Sequence, residues 1–455
     1  MKHSLQIALK SWFGLTLLVI ASLAFIYNRN GTTGLNLFIQ QWPLSNLAVT
    51  LASTAITWLL LGFLLYMLAN GKIHPENLWL TVGFFLVLFI YLGILRERFR
   101  YGDYQYYLEA ASALVKGQPL PDSYLYLPLW ASLLQFLVPL GDQGLMIILW
   151  TINVLALGAF YFLLVRILER YGFSNRFAVT TTVLFLLINT PLMRTLGFIQ
   201  VNLLTLDLIL LSVLVFPKHE FFSALALALA VHIKTSPAVL VIAFLLEFNW
   251  RWLIWFAVSF LLIGLLPVML NGVSLYYQFI NNAFLLTQIA DTNFHDTSFD
   301  SFLRFLDPFL GIQIAQTRIM ALTAKALLLI GTLAVMVKNV RAQGFTRENH
   351  MLNALPPLFI LMTLASPIVW DHHGLFTALS FLLMLKRIDS PAAWMWFGLA
   401  YFLEFMLPSF DFFPWSYGRL IAPMIVLALM WPVSKTSEGP RFFDMAHSWL
   451  SKLST

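Results

Sequence analysis

The chain has 455 residues, 60% hydrophobic and 11% charged, with a formal net charge of +6 and a mean hydropathy of +0.80. A soluble core holds about half apolar residues, so this composition excludes a soluble globular protein and leaves a polytopic membrane protein. The absence of cysteine excludes disulfide frameworks, thiolate metal sites and a cysteine nucleophile. The positive balance is read as membrane topology, with no nucleic-acid partner.

Lys2 and Lys10 precede the apolar stretch Ser11 to Tyr27. Ser22-Leu23-Ala24 loosely resembles a signal-peptide cleavage site, but the apolar run continues through Phe25, Ile26 and Tyr27, which predicts a retained helix. Further long spans are expected at Leu47 to Ala69, Leu78 to Leu95, Leu145 to Val165 and Trp252 to Leu270. Shorter apolar runs follow at Phe177 to Ile188, Leu203 to Phe216, Phe221 to Val231, Pro237 to Phe248, Leu322 to Val337, Leu352 to Leu364, Val369 to Leu385, Ala392 to Leu407 and Leu420 to Trp431. Several fall below the roughly 17 residues that a straight span requires. Short or broken helices survive at membrane depth only where protein or a water-filled cavity satisfies their backbone, so the breaks point to an internal site. The fold class expected is an all-α polytopic integral membrane protein of roughly 12–14 transmembrane helices, with re-entrant or short helices and external loops.

Charge orients the bundle. With Lys2 and Lys10 in the cytoplasm and Tyr124 to Leu140 dipping in and returning, nearly every later basic group falls inside. These are Arg166, Arg170, Arg176, Lys218, Arg251, Lys338 to Asn349, Lys386, Arg387 and the tail with Lys435, Arg441 and Lys452. The exception is Arg96, Arg98 and Arg100 in "RERFRYGDYQYY", which this count puts outside. They either snorkel to headgroups or serve an anionic ligand at the outer face. The amphipathic loop Asn271 to Arg318 also falls outside, as a lid. The expected organisation is one transmembrane domain over 1–432, with extra N-terminal helices in 1–76, external loops at 96–127 and 271–322, and a cytoplasmic tail 433–455 able to form one interfacial helix.

The polar groups that this topology gathers at the outer face are Arg100, Asp103, Tyr104, Tyr124, Tyr126, Arg194, Gln200, Asn202, His232, Lys234, His295, Trp370, Asp371, His372 and His373. Each also has a plain reading. Asp103 could only cap the helix that follows it, Lys234 could snorkel, and Gln200 and Asn202 could be interhelical glue. Adjacent histidines on a helix point about 100° apart, so His372 and His373 are not expected to share a metal. Cations and imidazoles around few carboxylates attract an anion, and an anion anchored in lipid is a lipid phosphate. One carboxylate among aromatic rings suits a general base beside a sugar, with the cations stabilising the phosphate that leaves.

At these residues the chain resembles the polyprenol-phosphate-sugar-dependent glycosyltransferases of family 87, in the GT-C superfamily. "GDYQYYLEAASALVKGQPLPDSYLYLPLWASLLQFLVPLG" is similar to the family's first external loop, with its aspartate after an early membrane helix. "GFIQVNLLTLDLILL", "HIKTSPAVLVIAFLL" and "LASPIVWDHHGLF" resemble its later Gln-x-Asn, Lys-x-x-Pro and Ser-Pro-x-x-Trp-x-His elements, in order over Leu78 to Leu385. Two apolar spans precede the helix leading to Asp103, which departs from the family's usual start. The resemblance implies a GT-C-type bundle in the plasma (inner) membrane, with its active site facing the periplasm or exterior. It implies a metal-independent, inverting hexosyltransferase, mannosyltransferase-like, without a cofactor. Its partners would be a polyprenyl-phosphate sugar, a glycan or glycolipid acceptor and membrane lipid. Asp103 matches the catalytic aspartate, and Lys234 and His372 match positions near the donor phosphate or sugar. Arg100, Tyr104, Tyr126, Gln200, Asn202, His232, His295, Trp370 and His373 are the remaining expected substrate-binding residues. The rival functions are a transporter or flippase of lipid-linked sugars, and a polysaccharide ligase or polymerase using a diphosphate donor.

Overall fold

The computed structural model describes residues 2–37, 66, 103–187, 189–289, 296–310, 314–343, 347–388, 390–407 and 415–431. The expected spans Leu47 to Ala69 and Leu78 to Leu95, Arg96, Arg98, Arg100, His295 and the 433–455 tail lie outside them. The described residues form helices and no strand, with one isolated bridge between Asp296 and Trp370. Helices long and apolar enough to cross a membrane cover Leu9–Arg29, Pro128–Arg170, Trp250–Asn271 and Ile319–Asn339, four among the described residues. A fifth is added if the pair Asn175–Leu187 and Thr190–Gly197, bent by 62°, is one broken span. This is an all-α membrane protein.

The short runs do form short helices. Asn202–Val215 and Glu220–Ile233 have 14 residues each, about 21 Å of helix against a hydrocarbon thickness of ~30 Å. They pack side by side as an antiparallel hairpin, so the start of the first and the end of the second share one end of the bundle. The opposite end is basic. There Arg170 donates to the carbonyls of Val213, Leu214 and Phe216 at 2.5–2.9 Å, covering groups that a helix C-terminus leaves without partners. Lys386 donates to the Tyr171 carbonyl, and Arg387 to Asn353 Oδ1 at 2.9 Å, at the same end.

One local polar link joins these helices. Trp252 Nε1 donates to Ser223 Oγ (2.9 Å), which lies 3.1 Å from Ser212 Oγ, tying three helices together. The outward faces carry Phe13, Leu17, Ile20, Leu261, Met269 and Ile330, exposed as lipid-facing residues should be.

A smaller second core positions the site. Tyr104, Tyr107, Ala110 and Ala111 recur at helical spacing on one face of Tyr104–Val115 and pack with Tyr124, Trp130, Ala131, Leu145, Ile199 and Val201. The helix ends at Gly117, whose φ of +65° is left-handed, and Gln118 N closes the turn on Ala113 O at 2.8 Å. The segment that follows has two pieces, the helix Pro128–Leu134 and a 3-10 turn Gln135–Leu140, running directly into Gly141–Arg170.

Candidate active site

Asp103 occupies the N-cap position of Tyr104–Val115, yet its side chain makes no capping hydrogen bond. Capping is therefore not what its carboxyl does. It is partly buried, and its electrostatic partner is Lys234, the residue that ends Glu220–Ile233. Burial pushes the Asp103 carboxyl up to about 7, with the Lys234 charge opposing. Burial pushes the Lys234 ammonium down to about 7, with Asp103 opposing. Each stands near its protonation midpoint at neutral pH. Among the described residues Asp103 forms no ion-pair contact, so the two charges attract across a gap.

The ammonium is held from one side. Lys234 Nζ donates to Asn202 Oδ1 at 2.6 Å and lies 5.4 Å from the centre of the Phe376 ring. Asn202 Nδ2 in turn donates to the His372 carbonyl at 3.3 Å. This links the start of one helix, the end of the next and the 3-10 turn Asp371–Thr377. His372 and His373 pack edge to face with ring centres 4.6 Å apart. Burial first, and the Lys234 charge second, hold both imidazoles well below their ordinary range, so both are neutral at pH 7. The Trp370 amide donates to His373 Nδ1 at 3.1 Å, so that nitrogen carries no proton.

The turn is bolted down behind the histidines. Asp371 Oδ1 accepts from Arg419 Nη1 at 2.9 Å, and Arg419 also donates from Nε to the Glu404 carbonyl at 3.1 Å and from Nη2 to the Leu407 carbonyl. Gly374 lies so close to Glu404 that an added Cβ would sit 2.6 Å from its carboxyl oxygen. On the other side, Asp296 Oδ1 accepts from the amides of Ser298 (2.9 Å) and Val369 (2.8 Å), and its Oδ2 from Ser298 Oγ (3.0 Å). Burial still raises the Asp296 carboxyl to about 6 against those bonds.

Gln200 joins the Tyr104–Val115 helix to the bundle. Tyr107 Oη donates to Gln200 Oε1 at 2.9 Å, Tyr126 Oη reaches the same oxygen at 3.4 Å, and the two phenols are 3.2 Å apart. Burial, then neighbouring groups including Asp103, keep both phenols protonated. The turn before Gln200 contains Ile199 at φ +55°, a left-handed conformation that a β-branched residue adopts at a cost.

The structure thus brings Asp103, Tyr126, Gln200, Asn202, Lys234, Trp370, His372 and His373 to one end of the bundle. Tyr104 is buried in the second core. His232 points elsewhere: its ring stacks on Phe260 at 4.4 Å, and Nε2 lies 2.8 Å from the Phe260 carbonyl. Three positions that sequence reasoning left out of the site, Tyr107, Asp296 and Arg419, do much of the positioning. Arg194, with its guanidinium 5.7 Å from the Phe198 ring, adds to the positive field on His372.

No group of three or more histidine, aspartate or glutamate side chains that could hold a metal ion occurs among the described residues. What the cluster offers chemically is one carboxyl able to take a proton, one ammonium able to meet an anion, and neutral donors around aromatic rings. No curated protein matches the chain. The model of glycosyltransferase family 87 matches residues 124–367, more than half of it, from Tyr126 through the Gln200, Lys234 and Ser366-Pro367 elements. The chain belongs to glycosyltransferase family 87 and is a membrane glycosyltransferase.

Proposed function

We propose that the enzyme transfers a hexose or pentose, mannose among the candidates, from a polyprenyl-phosphate donor to a hydroxyl of a glycan or glycolipid. The reaction occurs at the outer face of the plasma (inner) membrane. Asp103 removes the acceptor proton as the oxygen attacks the anomeric carbon from the face opposite the phosphate. The bond from that carbon to the phosphate oxygen breaks, and its electron pair leaves with the polyprenyl phosphate. The leaving group thereby goes from a singly charged diester to a monoester of higher charge. Lys234, steered by Asn202, stabilises that developing charge, and His372 donates as a neutral imidazole. The observation that carries this reading is the Asp103–Lys234 pair, coupled in charge but without contact, beside the turn that holds His372 and His373. The basic residues gathered at the far end of the bundle support the outward orientation.

The test is transfer by purified protein in lipid nanodiscs, given tritiated polyprenyl monophosphate and diphosphate sugars with a membrane lipid extract as acceptor. Wild-type transfer from the monophosphate, lost in Asp103→Asn, is expected. Turnover of the diphosphate alone indicates a ligase or polymerase. Absence of any transfer, with movement of lipid-linked sugar across vesicles, indicates a transporter. Wild-type turnover by Asp103→Asn removes Asp103 as the base.

A further inference from the structure

A carboxamide offers one oxygen acceptor and two N–H donors, and in Gln200 only the oxygen is used. Tyr107 and Tyr126 both donate to Oε1. Tyr107 Oη also lies 3.2 Å from Tyr126 Oη, so the two phenols and Oε1 form one hydrogen-bonded cluster. With Oε1 turned to the tyrosines, Nε2 is turned away from them. Gln200 is fully buried, and among the described residues Nε2 has no hydrogen-bond partner. A second donor beside the same ring is in the same condition. Trp130 lies edge-on to Tyr107 at 6.2 Å, and its buried Nε1 also has no partner among the described residues. Buried donors without acceptors are rare in native proteins, because each forfeits its hydration without replacement. Two of them bordering one tyrosine, within the field of Asp103, mark a place built for oxygen atoms that the protein itself does not supply.

We propose that Gln200 is a specificity-determining residue of the transfer reaction, its amide N–H donating to an acceptor-sugar oxygen next to the hydroxyl that Asp103 deprotonates. The inference rests on the reading of Asp103 as the base. Tyr107 and Tyr126 act through Gln200 as positioning residues, and the strained Ile199 turn holds the carboxamide between them. The indole of Trp130 supplies a second donor to the same sugar.

The substitution that isolates this role is Gln200→Glu. It keeps an oxygen for both tyrosines and removes both N–H groups, whereas Gln200→Met removes everything. Transfer is measured in nanodiscs with tritiated polyprenyl-phosphate hexoses and pentoses as donors and a varied amount of total membrane lipid extract as acceptor. Gln200→Glu raises the apparent KM for the extract about tenfold, equal to about 1.4 kcal/mol of lost binding, and leaves the donor KM unchanged. Tyr107→Phe, which frees the carboxamide to rotate, raises the same KM by a smaller factor. The added charge of Gln200→Glu is controlled by pH: a mere upward shift of the Asp103 titration moves the pH optimum upward, and a lost donor leaves it in place. An unchanged acceptor KM in Gln200→Glu, or a change confined to the donor KM, overturns the inference. If no Gln200 variant folds, Trp130→Phe reads the same acceptor KM. A wild-type enzyme that uses none of these donors overturns the function proposed above instead.

Discussion

Two acid–base pairs lie within reach of the same turn and are built in opposite ways. Asp371 and Arg419 touch at 2.9 Å, and each of the three guanidinium nitrogens has an acceptor. Asp103 and Lys234 feel each other's charge without touching, and each sits near its midpoint at neutral pH. The first arrangement suits a bolt, because a closed pair has no proton or bond to offer. The second suits chemistry, because a carboxyl and an ammonium held apart can act on something placed between them.

Breaking each pair in turn should expose that difference. Asp103→Asn is expected to lower transfer by about 10²–10⁴-fold, the usual worth of a positioned general base, with thermal unfolding of the detergent-solubilised protein unchanged. Arg419→Met should do the reverse. Removing the guanidinium from buried Asp371 costs about 3–5 kcal/mol, visible as lost folded protein by size-exclusion and a lower melting temperature. An Asp371→Leu and Arg419→Met double variant should recover part of that loss. If Arg419→Met melts like the wild type, the bolt is not one.

The pH profile sharpens the comparison. Activity should rise with pH as Asp103 loses its proton, and fall as Lys234 loses its own, giving a narrow bell near pH 7 whose apparent values belong to the coupled pair. Lys234→Gln should lower transfer by about 10²-fold and remove the alkaline limb, leaving a plateau. The smallest effect is expected at Asn202→Ala, which deprives Lys234 of its 2.6 Å acceptor. A loss of about tenfold, the scale of one hydrogen bond to a charged group, should appear in kcat more than in the donor KM.

The poised pair was visible in the sequence and the bolt was not, for a physical reason. Asp103, Lys234 and His372 interrupt apolar runs, and lipid makes any such charge conspicuous. Short helices were legible the same way, as runs too brief to span. Asp371 could be singled out, but its partner lies 48 residues on, and nothing in "SYGRLIAP" announces it. Only packing brings Arg419 to Asp371. In the 271–318 loop His295 is the more conspicuous residue by type, and it lies outside the described residues. Asp296 did carry a signal: an aspartate two residues before a serine suits an Asx-type turn, and Ser298 N donates to Asp296 Oδ1. His232 shows the converse. A polar residue beside a site need not face it, and a half-turn of helix sends this ring to Phe260.

The guanidinium behind the tandem imidazoles has a consequence for biogenesis. Translation delivers Asp371 well before Arg419, so the turn gains its guanidinium contact only once the Gly418–Leu429 helix has docked. Docking of that helix, rather than arrival of Asp103, then sets when the histidine turn takes its final shape. A ribosome stalled before Gly418 should leave a polypeptide with its early helices in place and that turn unlocked.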